Sequence, residues 1–508
     1  MSLLLHSLLL LLLAFIVHLR RGTEHSERIV ESAIVDTALG DLTSLTEAKR
    51  SGDPFTLNDS LDPPSLGIEP ADSQLKLVGQ PRIASLTQYA PVLGGPMSLS
   101  KTKIESVSAN GVIRLPHLAT SIVAPFSGRQ GLTRAKLLQR EGGTAKSEQS
   151  VEDGLDWLVR HQRADGSWSM NYQDQCQARP CTAQHSIESD TGATGLALLP
   201  LLGAGYIHTV KSRHQEAVRR GLDWLVAHQQ PDGDLFTGPP GMAYMYSHAI
   251  ATMAICEAYG LSGDTNLKRP ATRAIQFIIN SQDPVGGGWR YSPGQLGDTS
   301  VFGWQMFALR SAHLAGIKIP TKILKACSRY LDQAGDQKKV TYAYQPGRNA
   351  TPTMTAEALL SRQLLGWPRD FPALVKGVGQ ISADLQSSGE RNIYYWYYAT
   401  QLLHNMQNEQ WERWNLKIRE GLIGLQVKDE GCAHGSWDPF FPSPDRWAAL
   451  SGGRLYLTSL SILTLEVYYR YLPLYRSYDE DQTKPDVAMK PDAEPKDLAT
   501  KPAGRGAK

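Results

Sequence analysis

The amino-acid sequence predicts an all-α fold, an α/α toroid in which six helical hairpins form an inner and an outer ring. Two observations predict it. A nine-residue pattern recurs along the chain, and a glycine-rich turn and a second, more apolar helix follow the copies. Repeats of this kind build stacked helical units. An N-terminal transmembrane helix and disordered flanking segments complete the predicted organisation.

Composition sets the broad class of the protein. The 508 residues contain 52 Lys plus Arg against 50 Asp plus Glu, and 41% of them are hydrophobic. This apolar share is sufficient for a large buried core. The balanced charge, with no basic stripe, gives no reason to expect nucleic acid as a partner.

Residues 2–19 are almost continuously apolar and are followed by Arg20 and Arg21. Eighteen helical residues span about 27 Å, which is just sufficient for a bilayer core. A cleaved signal peptide would need a basic start and a small-residue cleavage site, and the sequence has neither. We therefore expect residues 1–21 to form a single-pass membrane anchor. The two arginines favour a cytoplasmic toroid, whereas a start codon farther upstream that adds basic residues would invert this orientation.

Two polar segments flank the repeats. Residues 22–148 lose apolar periodicity and are rich in Pro, Asp, Ser and Gly, which predicts a mostly disordered linker. Residues 476–508 alternate Lys, Pro, Asp and Ala without core-forming side chains, which predicts a solvated tail.

The repeat itself occupies residues 149–475. GLDWLVRHQ at 154–162 and GLDWLVAHQ at 221–229 differ at one position, and AIQFIINSQ at 274–282 is a looser copy. The predicted first helices are amphipathic, typical of an outer ring, and lie near residues 151–161, 215–229, 270–282, 321–333, 372–385 and 411–426. Their more apolar partners, predicted to form the inner ring, lie near residues 188–204, 244–260, 298–316, 353–366, 392–406 and 452–471.

The pattern Gly-x-x-Trp-Leu-x-x-x-Gln followed by Gly-x-Trp resembles the QW repeat of squalene-hopene cyclases and the related prenyltransferase repeat. The matching pairs are Gln162 with Trp168, Gln282 with Trp289, and Gln426 with Trp437, while Gln229 lacks its tryptophan. The chain is also similar to membrane-anchored, planctomycete-type members with a single toroid. The resemblance implies that these side chains tie neighbouring helix ends together and belong to the scaffold.

A toroid brings the leading ends of its inner helices to one end of the ring, here called the mouth, and polar groups there form the default site. The predicted catalytic residues are Asp190, His248 and Asp298. The predicted ligand-binding residues are Tyr246, Trp304, Tyr394, Trp396, Arg454 and Tyr456. Two structural alternatives compete with these assignments, because the aspartates could cap inner helices and the histidine could be a satisfied core residue.

The resemblance also implies motifs that this chain lacks. Squalene-type cyclisation uses an Asp-x-Asp-Asp-Thr-Ala motif, but Ser189 and Gly297 occupy the proton-donor position when the chain is aligned on Asp190 or Asp298, which leaves Glu188 as a substitute acid. The Asp-Asp-x-x-Asp cluster of diphosphate-ionising cyclases and the Cys-Gly-Glu-Gln of thioester domains are absent from the sequence.

Prenyltransferases bind zinc through Asp-x-Cys and a distant histidine. Asp174 and Cys176 have this spacing, and His185, Cys432 and His434 are further candidates. The pair falls in a loop ahead of an inner helix, unlike that of the family, so we assign no metal and no cofactor. Cys176 and Cys181 could form a disulfide or remain thiols.

Three functions remain open. The first is the binding or transformation of an apolar, isoprenoid-like ligand in the central cavity, by an isomerase or transferase if the protein is an enzyme. The second is a non-catalytic toroid that binds a protein partner. The third is carbohydrate chemistry, since other α/α toroids are lyases and hydrolases.

Overall fold

The computed structural model describes residues 126–475, except 177–180, 184, 186, 240 and 385–389. The predicted anchor, most of the predicted linker and the tail lie outside the described residues. Within the described part of the chain, no helix is both long enough and apolar enough to cross a membrane. This part is helical throughout, and its only β-structure consists of isolated bridges.

Twelve helices form six consecutive hairpins, as predicted. The outer helices are α2 (Ala145–Arg160), α4 (Gln215–Ala227), α6 (Thr265–Asn280), α8 (Thr321–Ala334), α10 (Pro372–Asp384) and α12 (Glu409–Leu425). The inner helices are α3 (Asp190–Gly203), α5 (Ala243–Ser262), α7 (Thr299–Leu314), α9 (Pro352–Leu364), α11 (Ile393–Met406) and α13 (Gly453–Leu465). A further helix precedes them, α1 (Gly131–Glu141), and a short one follows, α14 (Val467–Arg470).

The inner helices close into a ring. Each contacts the inner helix before and after it in the chain, and α13 returns to contact α3. The outer helices pack outside the ring, and the last of them, α12, contacts the first, α2. Nearly every residue of the inner helices is buried, because one face meets the outer helices and the other faces the ring interior. This explains why their sequences are apolar all round, whereas the outer helices are amphipathic.

Helix α1 lies within the segment 22–148 that the sequence predicted to be linker, and α2 begins there with a capping box at Thr144. The folded part of the chain thus extends farther toward the N-terminus than residue 149. This helix could not be recognised from the sequence, because α1 buries only Leu137 and Glu141, which are too few residues to give an apolar period.

The repeated glutamines link neighbouring hairpins. The Nε2 atom of Gln162 donates to the carbonyl oxygens of Gly166, at 2.8 Å, and of Ala217 on the next outer helix, at 2.9 Å. Gln229 and Gln282 make the equivalent pairs of hydrogen bonds. Gln426 donates to Ser150 of the first outer helix at 2.8 Å, so the same contact closes the ring. The scaffold role that the resemblance implies agrees with these contacts.

The glycine of each repeat turn has a steric cause. Gly435 has a φ of 86°, and a Cβ atom there would lie 2.1 Å from the carbonyl oxygen of Asp153. Gly166, Gly233 and Gly287 have the same sign of φ and the same clash with the next outer helix. Only glycine permits this close approach of a turn to a helix backbone.

Charged groups close the end of the ring opposite the mouth. Glu257 of α5 is fully buried and pairs with Arg129, at 2.6 Å, and with Arg470, at 3.1 Å. Burial alone would raise the pKa of Glu257, but the two guanidinium groups lower it below its ordinary value. A cavity of about 20 Å³ lies beside Arg470, between Phe307 and Gln401, which is room for about one water molecule.

Candidate functional site

A chain of hydrogen bonds crosses the ring interior near the mouth. The hydroxyl of Tyr246 on α5 donates to Ser300 Oγ on α7 at 2.7 Å. Ser300 Oγ also lies 2.7 Å from the hydroxyl of Tyr394 on α11, and Tyr394 donates to Glu357 Oε1 on α9 at 3.2 Å. Four inner helices therefore meet in one polar network. Of the predicted ligand-binding residues, Tyr246 and Tyr394 belong to it.

Aromatic rings fill the space around this network. Trp304 stacks on Tyr397, with ring centroids 5.8 Å apart, and meets the edge of Tyr398. Phe307 stacks on Tyr398 at 5.5 Å. Trp304, one of the predicted ligand-binding residues, therefore packs among other aromatic side chains of the inner helices. However, these buried rings occupy the interior themselves, so the mouth does not lead into a wide channel within the described residues.

Glu357 is the residue that the sequence analysis missed. It is fully buried, and burial among tyrosines raises the pKa of its carboxyl well above the ordinary value. Gly303 on α7 makes room for it, because a Cβ atom at that position would lie 1.9 Å from Glu357 Oε1. The sequence does contain a signal for this residue. A lone acidic residue in the apolar stretch TMTAEALL of an inner helix is costly to bury unless it has a hydrogen-bonding partner.

Asp298 caps α7 and is also buried. Its Oδ1 accepts from the backbone N–H of Val301 at 2.8 Å, so the capping alternative applies here. Burial raises the pKa of Asp298 to about 7, although the hydrogen bond from Val301 acts in the opposite direction. Arg290 Nε is 3.7 Å from Oδ2, too far for a hydrogen bond. The structure thus places two carboxyl groups with raised pKa values, Asp298 and Glu357, near the mouth.

Asp190 does not join this site. Its carboxylate binds Arg163 Nη1 at 2.7 Å, and both side chains are about one-third exposed. The capping alternative also fails for Asp190, because the cap of α3 is Ser189, whose Oγ accepts from Gly192. Glu188, the proposed substitute acid, is exposed.

His248 faces the outer ring rather than the interior. Its Nε2 lies 3.1 Å from the carbonyl oxygen of Ala274 on α6, and its Nδ1 lies 3.1 Å from Asp234 Oδ1. Its ring packs on Phe277 of the same outer helix. Burial opposes ionisation of Asp234, yet hydrogen bonds from His248 and Tyr244 bring its pKa below the ordinary value. His248 is therefore a satisfied core histidine, and no hydrogen bond links it to either predicted aspartate.

Arg454 and Tyr456 lie at the start of α13. Arg454 is buried and binds Thr182, Ser436 and Asp438, so it joins the loop of the first hairpin to that of the last. Tyr456 is partly buried. Trp396 is also partly buried, on α11. Arg454 is thus a structural residue, whereas Tyr456 and Trp396 keep their predicted positions on inner helices.

Three cysteines and a histidine meet outside the predicted site. The Nε2 atom of His161 lies 3.3 Å from Cys432 Sγ, 3.5 Å from Cys181 Sγ and 3.6 Å from Cys176 Sγ. No disulfide links any two of the five cysteines, all of which are described.

The other residues considered for zinc have different contacts. His185 Nε2 lies 3.0 Å from the carbonyl oxygen of Leu450, and His434 Nδ1 lies 3.2 Å from that of Lys428. Asp174 lies in a short 3-10 turn and is not part of the sulfur cluster.

Large apolar side chains are exposed in the loops that lead into inner helices α5, α7 and α13. These residues, here called the apolar rim, are Met242, Leu296, Phe440, Phe441, Trp447 and Leu450. Because the leading ends of the inner helices define the mouth, the apolar rim lies on the mouth face. Exposed apolar groups concentrated on one face are typical of ligand or partner binding.

One family model matches part of the chain. Residues 135–250, from α1 to the first turns of α5, match the family model of the squalene-hopene cyclase C-terminal domain. No curated protein sequence matches the chain.

Several solved structures align with this chain over most of their own length. A type II terpene cyclase from Scytonema has 13% identity and a TM-score of 0.42, covering 64% of this chain and 97% of its own. A cellobiose 2-epimerase from Spirochaeta thermophila has 11% identity and a TM-score of 0.48, with coverages of 67% and 99%. An α-1,6-mannanase from Salegentibacter has 12% identity and a TM-score of 0.46, with coverages of 63% and 98%. By its repeats and by the family model matched over residues 135–250, the chain resembles the terpenoid-cyclase-like α/α-toroid superfamily.

Proposed function

We propose that this toroid binds an apolar, isoprenoid-like ligand at the mouth, against the apolar rim and the outermost aromatic side chains. The observation that carries the proposal is the buried chain Tyr246–Ser300–Tyr394–Glu357, which offers hydrogen-bonding groups within an aromatic surround. A few polar groups in an otherwise apolar surface are the usual composition of a site for a largely apolar molecule. The ligand's single polar end would meet this chain.

The electrostatics favour binding over proton-initiated cyclisation. Burial raises the pKa of the Glu357 carboxyl, which favours its protonated form, and in that form Glu357 can donate a hydrogen bond. The same shift makes it a weaker acid, which is the opposite of what protonation of an alkene requires. Glu188 is exposed and Asp190 is paired with Arg163, so neither provides the missing strong acid.

The packed interior favours binding of the ligand at the mouth. Trp304, Tyr397 and Tyr398 occupy the centre of the ring, and the cavity at the opposite end accommodates only about one water molecule. A long apolar chain would therefore lie across the rim, with one end toward Tyr394. The membrane anchor expected from residues 2–19 would keep the chain at a lipid phase, where such ligands dissolve.

The packed interior and the apolar rim also favour a second candidate, a non-catalytic toroid that binds a protein at the mouth. The carbohydrate alternative has less support. Arg454 and His248, two polar residues of inner helices that could have served such a site, make scaffold contacts instead.

Equilibrium binding of radiolabelled geranylgeraniol to the purified full-length chain tests the proposal. Tyr394→Phe removes the hydroxyl that links Ser300 to Glu357. Loss of one such hydrogen bond costs about 1 kcal/mol, so we expect affinity to fall about fivefold. Tyr395→Phe is the matched control, because Tyr395 lies on the same helix but donates to Ile381 on the outer side.

Wild-type protein that binds no geranylgeraniol would refute the proposal, and so would an equal loss of affinity in both tyrosine variants. Binding of maltotriose instead of the isoprenoid would favour the carbohydrate alternative. A protein recovered with the wild-type chain but lost when Phe441 and Trp447 are both replaced by serine, while geranylgeraniol does not bind, would favour the second candidate.

A further inference from the structure

The four ligand-type atoms of His161, Cys176, Cys181 and Cys432 lie within 4.8 Å of one another. A tetrahedral zinc site with Zn–S bonds of about 2.3 Å and a Zn–N bond of about 2.0 Å places nitrogen and sulfur about 3.5 Å apart. The three nitrogen–sulfur distances in this cluster are 3.3, 3.5 and 3.6 Å. The distances from the imidazole nitrogen to the three sulfurs therefore match those of a zinc site with three thiolates and one imidazole.

The scaffold orients the histidine for this role. His161 Nδ1 lies 2.7 Å from the carbonyl oxygen of Trp157, which can only accept, so Nδ1 carries the hydrogen and Nε2 presents its lone pair to the sulfurs. The ring also stacks on Trp157 with centroids 4.2 Å apart. Zinc-binding histidines commonly donate their second N–H to a carbonyl in this way.

The next repeat shows what the cysteines add. His228 occupies the same repeat position, stacks on Trp224 at 4.1 Å and places its Nδ1 2.8 Å from the carbonyl oxygen of Trp224. It is exposed and has no cysteine beside it, whereas His161 is fully buried. The orientation of the imidazole is thus a general feature of the repeat, whereas the three sulfurs surround only the histidine of the first hairpin.

The surroundings suit thiolates bound to a cation. The backbone N–H of Cys181 points to Cys176 Sγ at 3.3 Å, a donor that stabilises a metal-bound sulfur. Three thiolates around Zn²⁺ leave one net negative charge, and the guanidinium of Arg454 is fixed nearby on Thr182.

The cluster lies where the ring has no chain connection. His161 ends the first outer helix, and Cys176 and Cys181 lie in the loop of the same hairpin. Cys432 follows the last outer helix, 271 residues after His161. Every other pair of neighbouring hairpins is joined by the polypeptide, but the first and last are not.

We propose that His161, Cys176, Cys181 and Cys432 bind one zinc ion that fastens the last hairpin to the first and so closes the toroid. Four protein ligands complete the tetrahedron and leave no position for water or substrate, so the ion is structural. The proposal is independent of the function suggested for the mouth.

Metal analysis of the full-length chain tests this proposal directly. Inductively coupled plasma mass spectrometry should find about one zinc per chain after gel filtration. Replacement of zinc by Co²⁺ should give the visible bands of a tetrahedral ion and a sulfur-to-cobalt charge-transfer band in the near ultraviolet. Wild-type protein without stoichiometric zinc and without these bands would overturn the proposal. A Cys176–Cys181 disulfide in the freshly purified protein, found by mass spectrometry, would also overturn it.

Two matched pairs of variants locate the site. Cys432→Ser and His161→Ala should lower the bound zinc at least tenfold. Cys327→Ala, at a buried cysteine outside the cluster, and His228→Ala, at the same repeat position, should retain it. Equal zinc contents in all four variants would refute the assignment.

A variant that fails to fold would not decide the matter, so wild-type protein provides the second measurement. Removal of zinc with a chelator should lower the melting temperature and speed proteolytic cleavage between α12 and α13, and added Zn²⁺ should reverse both effects. Mg²⁺ should not substitute, because thiolates disfavour it. If metal removal changes neither quantity, the ion does not fasten the ring.

Discussion

Asp298→Asn isolates the energetic cost of a buried carboxyl group at the mouth. The raised pKa of Asp298, about 7 against an ordinary value of 3.8, means that the folded protein keeps a proton that the unfolded chain releases. Stability from this group is therefore fully present below pH 3.8 and is lost as the pH rises through about 7. A shift of about three pKa units corresponds to about 4 kcal/mol at neutral pH.

Asparagine keeps the cap of α7 because its side-chain oxygen can still accept from Val301. The free energy of unfolding of Asp298→Asn, minus that of wild type, should therefore rise by about 4 kcal/mol between pH 4 and pH 8. Urea denaturation followed by tryptophan fluorescence at each pH measures this difference. Other titrating groups contribute equally to the unfolding free energy of both proteins, so their contributions largely cancel in this difference.

Thr351→Ala is the control. Thr351 caps the next inner helix, α9, through its hydroxyl and carries no charge. Its loss should cost about 1 kcal/mol at every pH. A difference for Asp298→Asn that is constant with pH, or the same slope in the threonine variant, would show that the Asp298 carboxyl is not the cause.

Three further changes test the scaffold by urea denaturation at neutral pH. Gln426→Ala leaves two carbonyl oxygens at the ring closure without their donor and should destabilise the protein by about 1–3 kcal/mol; no change would mean that the closure is held by other contacts. Gly303→Ala brings a methyl group into the carboxyl of Glu357 and should cost about 1–3 kcal/mol, whereas a neutral result would show that the carboxyl can move aside. Arg470→Met removes one of the two guanidinium groups on buried Glu257 and should cost about 3–5 kcal/mol; a stabilised variant would show that the remaining arginine suffices.

The ring was predictable because its signal repeats. The glutamines, the turn glycines and the apolar second helices recur at corresponding positions, so several hairpins could be recognised from a few clear copies. Helix α1 was not predictable, since it buries few residues and lies outside the repeat. In a repeat protein, the regular contacts are local in sequence, and local patterns predict them.

The residues of the site were harder to predict from the sequence. The sequence placed Tyr246, Trp304 and Tyr394 on inner helices correctly, but an inner helix is buried on all sides. Its pattern therefore does not show whether a side chain such as His248 faces the interior or the outer ring. The cysteine–histidine cluster was missed for a different reason. His161 reads as an ordinary repeat residue, and Cys432 is remote in sequence, so only closure of the ring brings them together.

Closure between the first and last hairpins has a consequence for biosynthesis. As the chain leaves the ribosome, each new hairpin can dock on its predecessor, so an open arc grows from the N-terminal side. The contacts of Gln426 with Ser150 and of Cys432 with His161 must wait until about three hundred further residues have been made. During that interval the inner face of the first hairpin stays uncovered on one side. A chaperone that shields exposed apolar helices would therefore be needed most at this stage, and a chain truncated before α12 would retain that exposed edge permanently.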